Sequence, residues 1–281
     1  MANRVIREEA DQEEARNYSF LIQKLFAAIF RKASVTEADY NNVMSKLNEE
    51  ITGKPFRVAV IGQSGVGKSS TLNHVFGLNL PISDIEEGTT EVIEKIFPMR
   101  DGFNLSIFDM PGLLQSRKKD AEYMNLYKEI LPQCDVIVYI IKANTRNIGD
   151  DCRILKEMIL PICDCNAIMD NLILAVNKVD IIGESYAPDD PEYMWDSINN
   201  QPTKKLVECI RQKRQDIYTK LIDEKLVLLN SKDALKPEQV VFYSATYDYN
   251  LKDVLMAITN AGKRGFIYMA AVGFDRFLGK S

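Results

Sequence analysis

Eight consecutive residues, Gly62, Gln63, Ser64, Gly65, Val66, Gly67, Lys68 and Ser69, restrict most severely what this chain of 281 residues folds into. They follow the apolar run FRVAVI and precede the stretch SSTLNHVF, so glycines and a lysine stand where a strand gives way to a helix. Glycines at this spacing let successive backbone N–H groups turn inward around an anion, and the helix start adds the positive end of its dipole. The spacing GxxxxGK[ST] is the one phosphate binding requires.

The surrounding pattern fits that junction. From residue 56 onward, β-branched runs at 56–61, 91–97, 105–108, 135–141, 172–176 and 239–243 predict strands. Helical stretches near 68–78, 116–131, 150–160, 203–223 and 250–261 separate them. Such alternation predicts an α/β fold with a mainly parallel sheet flanked by helices. The runs VIVYII and LILAV carry no charge, as strands buried on both faces do. Ahead of them, 8–32 reads as a helix, acidic at Glu8, Glu9 and Asp11 and basic at Lys24, Arg31 and Lys32, the polarity that suits its dipole. A second helix starts at Ser34 and Glu37, a capping-box pair, and ends before Gly53 and Pro55. The predicted organisation is an N-terminal helical extension at 1–54, a nucleotide domain at 55–262 with an insertion near 183–235, and a helical segment at 263–281.

A formal charge of −5 gives no long-range attraction for polyanions, so nucleic acid is not the partner this composition favours. Five cysteines, Cys134, Cys152, Cys163, Cys165 and Cys209, are an odd number and fit a reducing compartment better than a disulfide framework. Cys163 and Cys165 have no second pair at ligand spacing, which speaks against metal binding there. The start MANRVIREEADQEEA lacks the apolar core of a secretory signal, and a cytoplasmic location is expected. The apolar run from Gly265 to Phe274 is shorter than the roughly 20 residues of a spanning helix. With basic residues around it, that run is read as packing on the N-terminal helices, with peripheral membrane contact as the alternative.

Downstream motifs follow the strands in order. Lys68 is placed to reach the β and γ phosphates, and the Ser69 hydroxyl, next to Ser70, to ligate Mg²⁺. Asp109, Met110, Pro111 and Gly112 close the third strand, where Asp109 can hold a Mg²⁺-bound water and the Gly112 N–H can meet the γ-phosphate. Glu86, Glu87, Gly88, Thr89 and Thr90 form a polar loop, and Thr90 is the threonine chosen to complete the Mg²⁺ shell when the γ-phosphate is present. Asn177, Lys178, Val179 and Asp180 follow LILAV, and a carboxylate there accepts from both the ring N–H and the exocyclic amine of guanine, which adenine cannot match. Ser244, Ala245 and Thr246 follow QVVFY, with a backbone N–H to bond the guanine oxygen and the serine to brace the loop. His74 and Trp195 are read as a surface or packing histidine and a local packing anchor.

The strings GQSGVGKSS, GTT, DMPGL, NKVD and SAT resemble those of the Ras-like and translation-factor-type GTPases, and most of all the Era, TrmE and septin branch. Within it the chain is similar to bacterial Era-like proteins grouped as fifty-S-ribosome-binding GTPases, and more distantly to immunity-related GTPases. The resemblance covers about residues 56–261. It implies a P-loop NTPase with a six-stranded sheet whose second strand is antiparallel, GTP/GDP and Mg²⁺ as ligands, and GTP hydrolysis as a conformational switch. A septin-like assembly module with little turnover is the alternative. Leu113 stands where Ras-like enzymes place a water-orienting glutamine, and Gln115 comes two positions too late to inherit that role. Gly65 replaces the asparagine of potassium-stimulated members. No arginine finger is evident, so turnover is expected to stay slow until a partner, or a homodimer through the nucleotide face, completes the site.

Asp180→Asn is expected to shift preference from GTP toward xanthosine triphosphate, because an amide donates to the oxygen that replaces the guanine amine. Competition binding measures the shift, and unchanged relative affinities would remove the base assignment.

Overall fold

Uncharged β-branched runs form the centre of a six-stranded sheet. The computed structural model describes residues 55–76, 80, 92–98, 104–113, 117–145, 148–162, 169–226 and 235–261. The strands are β1 (Phe56–Gly62), β2 (Ile93–Pro98), β3 (Asn104–Asp109), β4 (Val136–Lys142), β5 (Leu172–Asn177) and, late in the chain, β8 (Val240–Phe242). Their order across the sheet is β2-β3-β1-β4-β5-β8. β1 pairs with β4, β4 with β5, and β5 with β8, all parallel. Two short strands, β6 (Trp195–Asp196) and β7 (Gln201–Pro202), form a separate antiparallel pair that the sequence pattern did not predict.

The helices are α1 (Lys68–Phe76), α2 (Arg117–Ile130), α3 (Ile148–Ile154), α4 (Lys204–Asp223) and α5 (Leu251–Asn260). Five π-helical residues, Leu155–Ile159, continue α3. All six predicted strands and all five predicted helices within the described residues are present, with ends displaced by a few residues.

Residues along β4 and β5 alternate between two buried faces. Ile137, Tyr139, Ile141, Leu172, Leu174 and Val176 join one apolar cluster with Tyr123 and Tyr127 of α2 and Leu206, Ile210, Ile217 and Leu221 of α4. Val138, Ile140, Ile173 and Ala175 are equally buried on the opposite face, where α5 meets β5 and α1 lies against α5. Helix α4 starts at Thr203, whose side chain accepts from the Leu206 N–H at 3.3 Å.

The chain divides into two compact units. Arg57–Lys95 with Ile107–Gly262 holds nearly every described residue. The other, of Met1–Phe56, Ile96–Ser106 and Lys263–Ser281, is described only at Phe56, 96–98 and 104–106. The predicted extension at 1–54 and segment at 263–281 lie outside the described residues, as do Cys163 and Cys165. No helix among the described residues is long and apolar enough to cross a membrane.

Gln239 joins the two strands that carry the base-side loops. Its buried amide donates to the carbonyls of Met169 and Leu172, each at 2.7 Å, and its oxygen accepts from the Lys236 N–H at 2.8 Å. Gln239→Ala strips two buried carbonyls of their donor and is expected to cost roughly 1–3 kcal/mol of stability, measured by urea unfolding.

Candidate nucleotide-binding site

Parallel pairing brings the C-terminal ends of β1, β3, β5 and β8 to one edge of the sheet, and every described motif follows one of those ends. The glycine-rich turn leaves β1. Gly67 adopts φ +91°, and a Cβ there would lie 2.5 Å from Asn177 Nδ2, so both conformation and space require glycine. The turn passes into α1, whose first residue, Lys68, is 6% exposed. Its ammonium donates to the carbonyls of Gln63 at 3.1 Å and Gly62 at 3.4 Å. Burial lowers the Lys68 pKa to about 8, against the pull of Asp109, which raises it. An anion against Nζ favours the charged form and relieves that penalty.

Asp109, 1% exposed, ends β3 beside the turn. Ser69 Oγ donates to Asp109 Oδ2 at 2.8 Å. Two oxygen ligands of the kind Mg²⁺ takes therefore meet at one point, next to the lysine. The chain then runs alongside β1: the Met110 N–H donates to Val60 O at 3.1 Å and the Leu113 N–H to Gly62 O at 3.2 Å. Gly112 is thereby held at the turn, where a Cβ would lie 3.0 Å from Ser64 N and 3.3 Å from Lys68 Nζ. Leu113 is fully buried and presents no polar atom. Tyr127 of α2 supports this passage from below, donating to Pro111 O at 2.7 Å.

Asn177 connects three loops. Its amide donates to Val66 O at 3.0 Å, and its oxygen accepts from the Lys178 N–H at 2.7 Å and the Ala245 N–H at 3.1 Å. Lys178 is left-handed at φ 64°, which turns the chain into the 3₁₀ helix Val179–Ser185 that carries Asp180. Asp180 Oδ1 is buried with no hydrogen-bond partner among the described residues. A buried acceptor of that kind fits a ligand that brings its own donors. Ser244 is fully buried and pairs its main chain with Tyr249 in both directions at 3.0 Å, while Thr246 is exposed.

The structure thus gathers Gly62, Gln63, Ser64, Gly65, Val66, Gly67, Lys68, Ser69, Asp109, Gly112, Asn177, Lys178, Asp180, Ser244, Ala245 and Thr246 at neighbouring loops, with Ser70 in the first turn of α1. Thr90, the loop 86–90 around it and Gln115 lie outside the described residues. His74 is exposed, with its ring near Asp248 at 3.9 Å, a surface histidine as expected.

Sequence reasoning missed the groups that hold these loops from behind. Asp151 of α3, 3% exposed, accepts from Gln63 Nε2 at 2.8 Å and from Tyr139 OH at 2.9 Å. Burial raises its carboxyl above the ordinary range, while those two hydrogen bonds pull it down. Tyr243 OH and Thr71 Oγ1 are 2.7 Å apart, and Thr71 donates to Gly67 O at 2.7 Å. Tyr243 is therefore the donor, and burial, by raising its phenol, keeps the proton in place. Neither Asp151 nor Tyr243 belongs to a motif, and no spacing points to them.

Residues 57–178 match the family described as 50S ribosome-binding GTPase. The GTPase Era of Ruminiclostridium cellulolyticum is 30% identical over 129 residues, which are 45% of this chain and 41% of that protein. Residues 57–178 are an Era-like P-loop GTPase domain. Around this GTPase domain, an Aquifex aeolicus Era bound to GDP and AlF₄⁻ aligns with a TM-score of 0.50 and 20% identity, covering 73% of this chain and 56% of that one. Era solved in complex with MgGDPNP and a segment of 16S ribosomal RNA aligns at 0.49 and 23% identity over the same shares. The chain spans about two fifths of the length of the curated relatives it matches, 38% to 41%.

The partner expectation drawn from net charge is corrected by that RNA complex. Nucleic acid is bound by a relative of the GTPase domain, so an acidic balance does not disfavour it as a partner class. Net charge sums over the whole chain, whereas phosphate contacts depend on charges within about 8–10 Å of each other.

Gly67→Ala is expected to weaken guanine-nucleotide binding at least tenfold while leaving the circular dichroism spectrum unchanged, since strain of about 1–3 kcal/mol falls on the turn and on Asn177. Titration with a fluorescent GDP analogue measures it. Wild-type affinity would show that the turn tolerates a Cβ.

Proposed function

We propose that this chain binds guanine nucleotide with Mg²⁺ in the cytoplasm and hydrolyses GTP to GDP and phosphate, acting as a conformational switch. The observation that carries this reading is Asn177, which bonds the phosphate turn at Val66 and the loop of Ala245 while starting the helix that presents Asp180. Such a tie serves a ligand with phosphates at one end and a purine at the other. The unpartnered Asp180 oxygen supports guanine as that purine, because guanine offers the two adjacent donors a carboxylate accepts.

In this assignment the turn from Gly62 to Gly67 offers N–H groups to the phosphates and Lys68 neutralises their charge. Ser69 and Asp109, already within hydrogen-bond distance of each other, would hold Mg²⁺ directly and through water, with Thr90 joining them in the triphosphate state. The ion, when bound, bridges phosphate oxygens and offsets charge developing during transfer. Gly112 sits where its N–H would meet the γ-phosphate, so occupancy of that position is transmitted to the chain after β3. Leu113, buried and apolar, cannot orient water through its side chain. Intrinsic turnover on the order of 10⁻⁴–10⁻² s⁻¹ is therefore expected.

Lys68→Ala and Ser69→Ala are each expected to abolish Mg²⁺-dependent GTP binding and single-turnover hydrolysis, with the unfolding midpoint little changed. Wild-type hydrolysis in either variant would refute the phosphate site. Tight GTP binding with no phosphate release in the unmutated protein would instead support an assembly module without useful turnover.

A further inference from the structure

Residues 183–203 touch both loops assigned to the base. Gly183 follows Asp180 by three positions, and any Cβ there would run into the carbonyl of Tyr193, so the helix carrying Asp180 is in main-chain contact with the turn Pro191–Tyr193. Further along, the Trp195 ring stacks on Tyr247 with centroids 4.5 Å apart at 17°, and stands edge-on to Tyr249 at 5.4 Å. Tyr247 is the residue after Thr246. Asn200, left-handed at φ 48° in the turn between β6 and β7, accepts from Trp195 Nε1 at 3.3 Å and donates to Tyr247 O at 3.4 Å. The segment is itself fixed to α4, because the Thr203 hydroxyl donates to Glu192 O at 2.6 Å while capping the helix.

The loop that needs this support has little of its own. Between Ser244 and Asn250 it turns through two left-handed residues, Asp248 and Asn250. Its own closure consists of the Ser244 and Tyr249 main-chain pair and a 3.4 Å bond from the Tyr247 N–H to Ser244 Oγ. A loop that must be ordered when ligand arrives lowers affinity by the entropy of ordering it, and an aromatic stack that orders it beforehand removes that loss.

We propose that segment 183–203, acting through Trp195 and Asn200, is a positioning element for guanine recognition that holds the 244–246 loop in register with Asp180. This rests on the assignment of those residues to the base. The phosphate half, anchored by β1, α1 and Asp109, is independent of it. Trp195 is the chain's single tryptophan, so its emission reports on the base loop without interference.

The test uses the full chain and compares GDP with inorganic tripolyphosphate, each with Mg²⁺. Trp195→Ala is expected to weaken GDP about tenfold and to leave tripolyphosphate unchanged, whereas Trp195→Phe retains most GDP affinity by keeping a ring on Tyr247. Asn200→Gly, which keeps the left-handed turn and removes the amide, should weaken GDP in the same selective way. In the unmutated protein, GDP should shift the Trp195 emission and tripolyphosphate should not. Equal losses for both ligands, or no loss for either, in Trp195→Ala and Asn200→Gly overturn the positioning role. If Trp195→Ala does not fold, Trp195→Phe and Asn200→Gly decide alone. Asp180→Asn separates the two levels: a shift toward xanthosine diphosphate with insensitive Trp195 and Asn200 variants sinks the brace and leaves the base site standing, while no shift removes the base site itself.

Discussion

Three of the loops at the sheet edge meet at the side chain of Asn177. Its amide and oxygen join the carbonyl of Val66, the N–H of Lys178 and the N–H of Ala245, and its own carbonyl accepts from the Ala143 N–H at 2.7 Å. These loops belong to segments far apart in the chain, and their strands alone do not set loop geometry to hydrogen-bond precision. A buried amide with every partner in place does so, because each lost bond leaves a polar group stranded away from water. The close approach of Gly67 to Asn177 follows directly: a side chain at position 67 would occupy the space the amide needs.

Charge at the site is held in an unfavourable environment for a reason that is chemical. Lys68 and Asp109 are both buried, and their mutual attraction only partly offsets the loss of water. A polyanion with its cation completes what the two side chains begin, so the energy withheld from folding is available to binding. Asp151 lies further back and has a different part. It receives hydrogen bonds from Gln63 in the turn and Tyr139 in β4, anchoring the turn to the central sheet without facing the phosphates.

The site therefore has a rigid half and a supported half. The phosphate turn is bounded by β1, β3 and α1, elements whose residues are buried in the core. The base side depends on β5 and β8, joined by Gln239, and on loops that need outside contact. The short strands β6 and β7 bring Trp195 and Asn200 to one of those loops. Binding energy at the two ends is thereby separable, which suits a protein whose switching responds to the phosphates while its base contact stays constant.

The strands and helices were legible because each has a simple periodicity. VIVYII and LILAV are apolar at every position, and a segment of that kind is stable only when both of its faces are covered. The glycine, lysine and serine of the turn, Asp109, and Asn177 through Asp180 were legible because phosphate, Mg²⁺ and guanine each dictate residue types at fixed local spacing. Leu113 was recognised as nonpolar, but its place in the core emerged only from packing. Asp151, Tyr139, Tyr243 and the Trp195 to Tyr247 stack carried no sequence signal, since their partners lie 12 to 172 positions away and no local pattern encodes such pairs. Net charge misled about nucleic acid because it averages over a surface that partners meet patch by patch. The sequence alone determined which chemical groups stand at the ends of which strands, because local spacing is a covalent property. Tertiary structure decided how those ends are braced against one another, because that depends on which distant side chains the parallel sheet brings within hydrogen-bond reach.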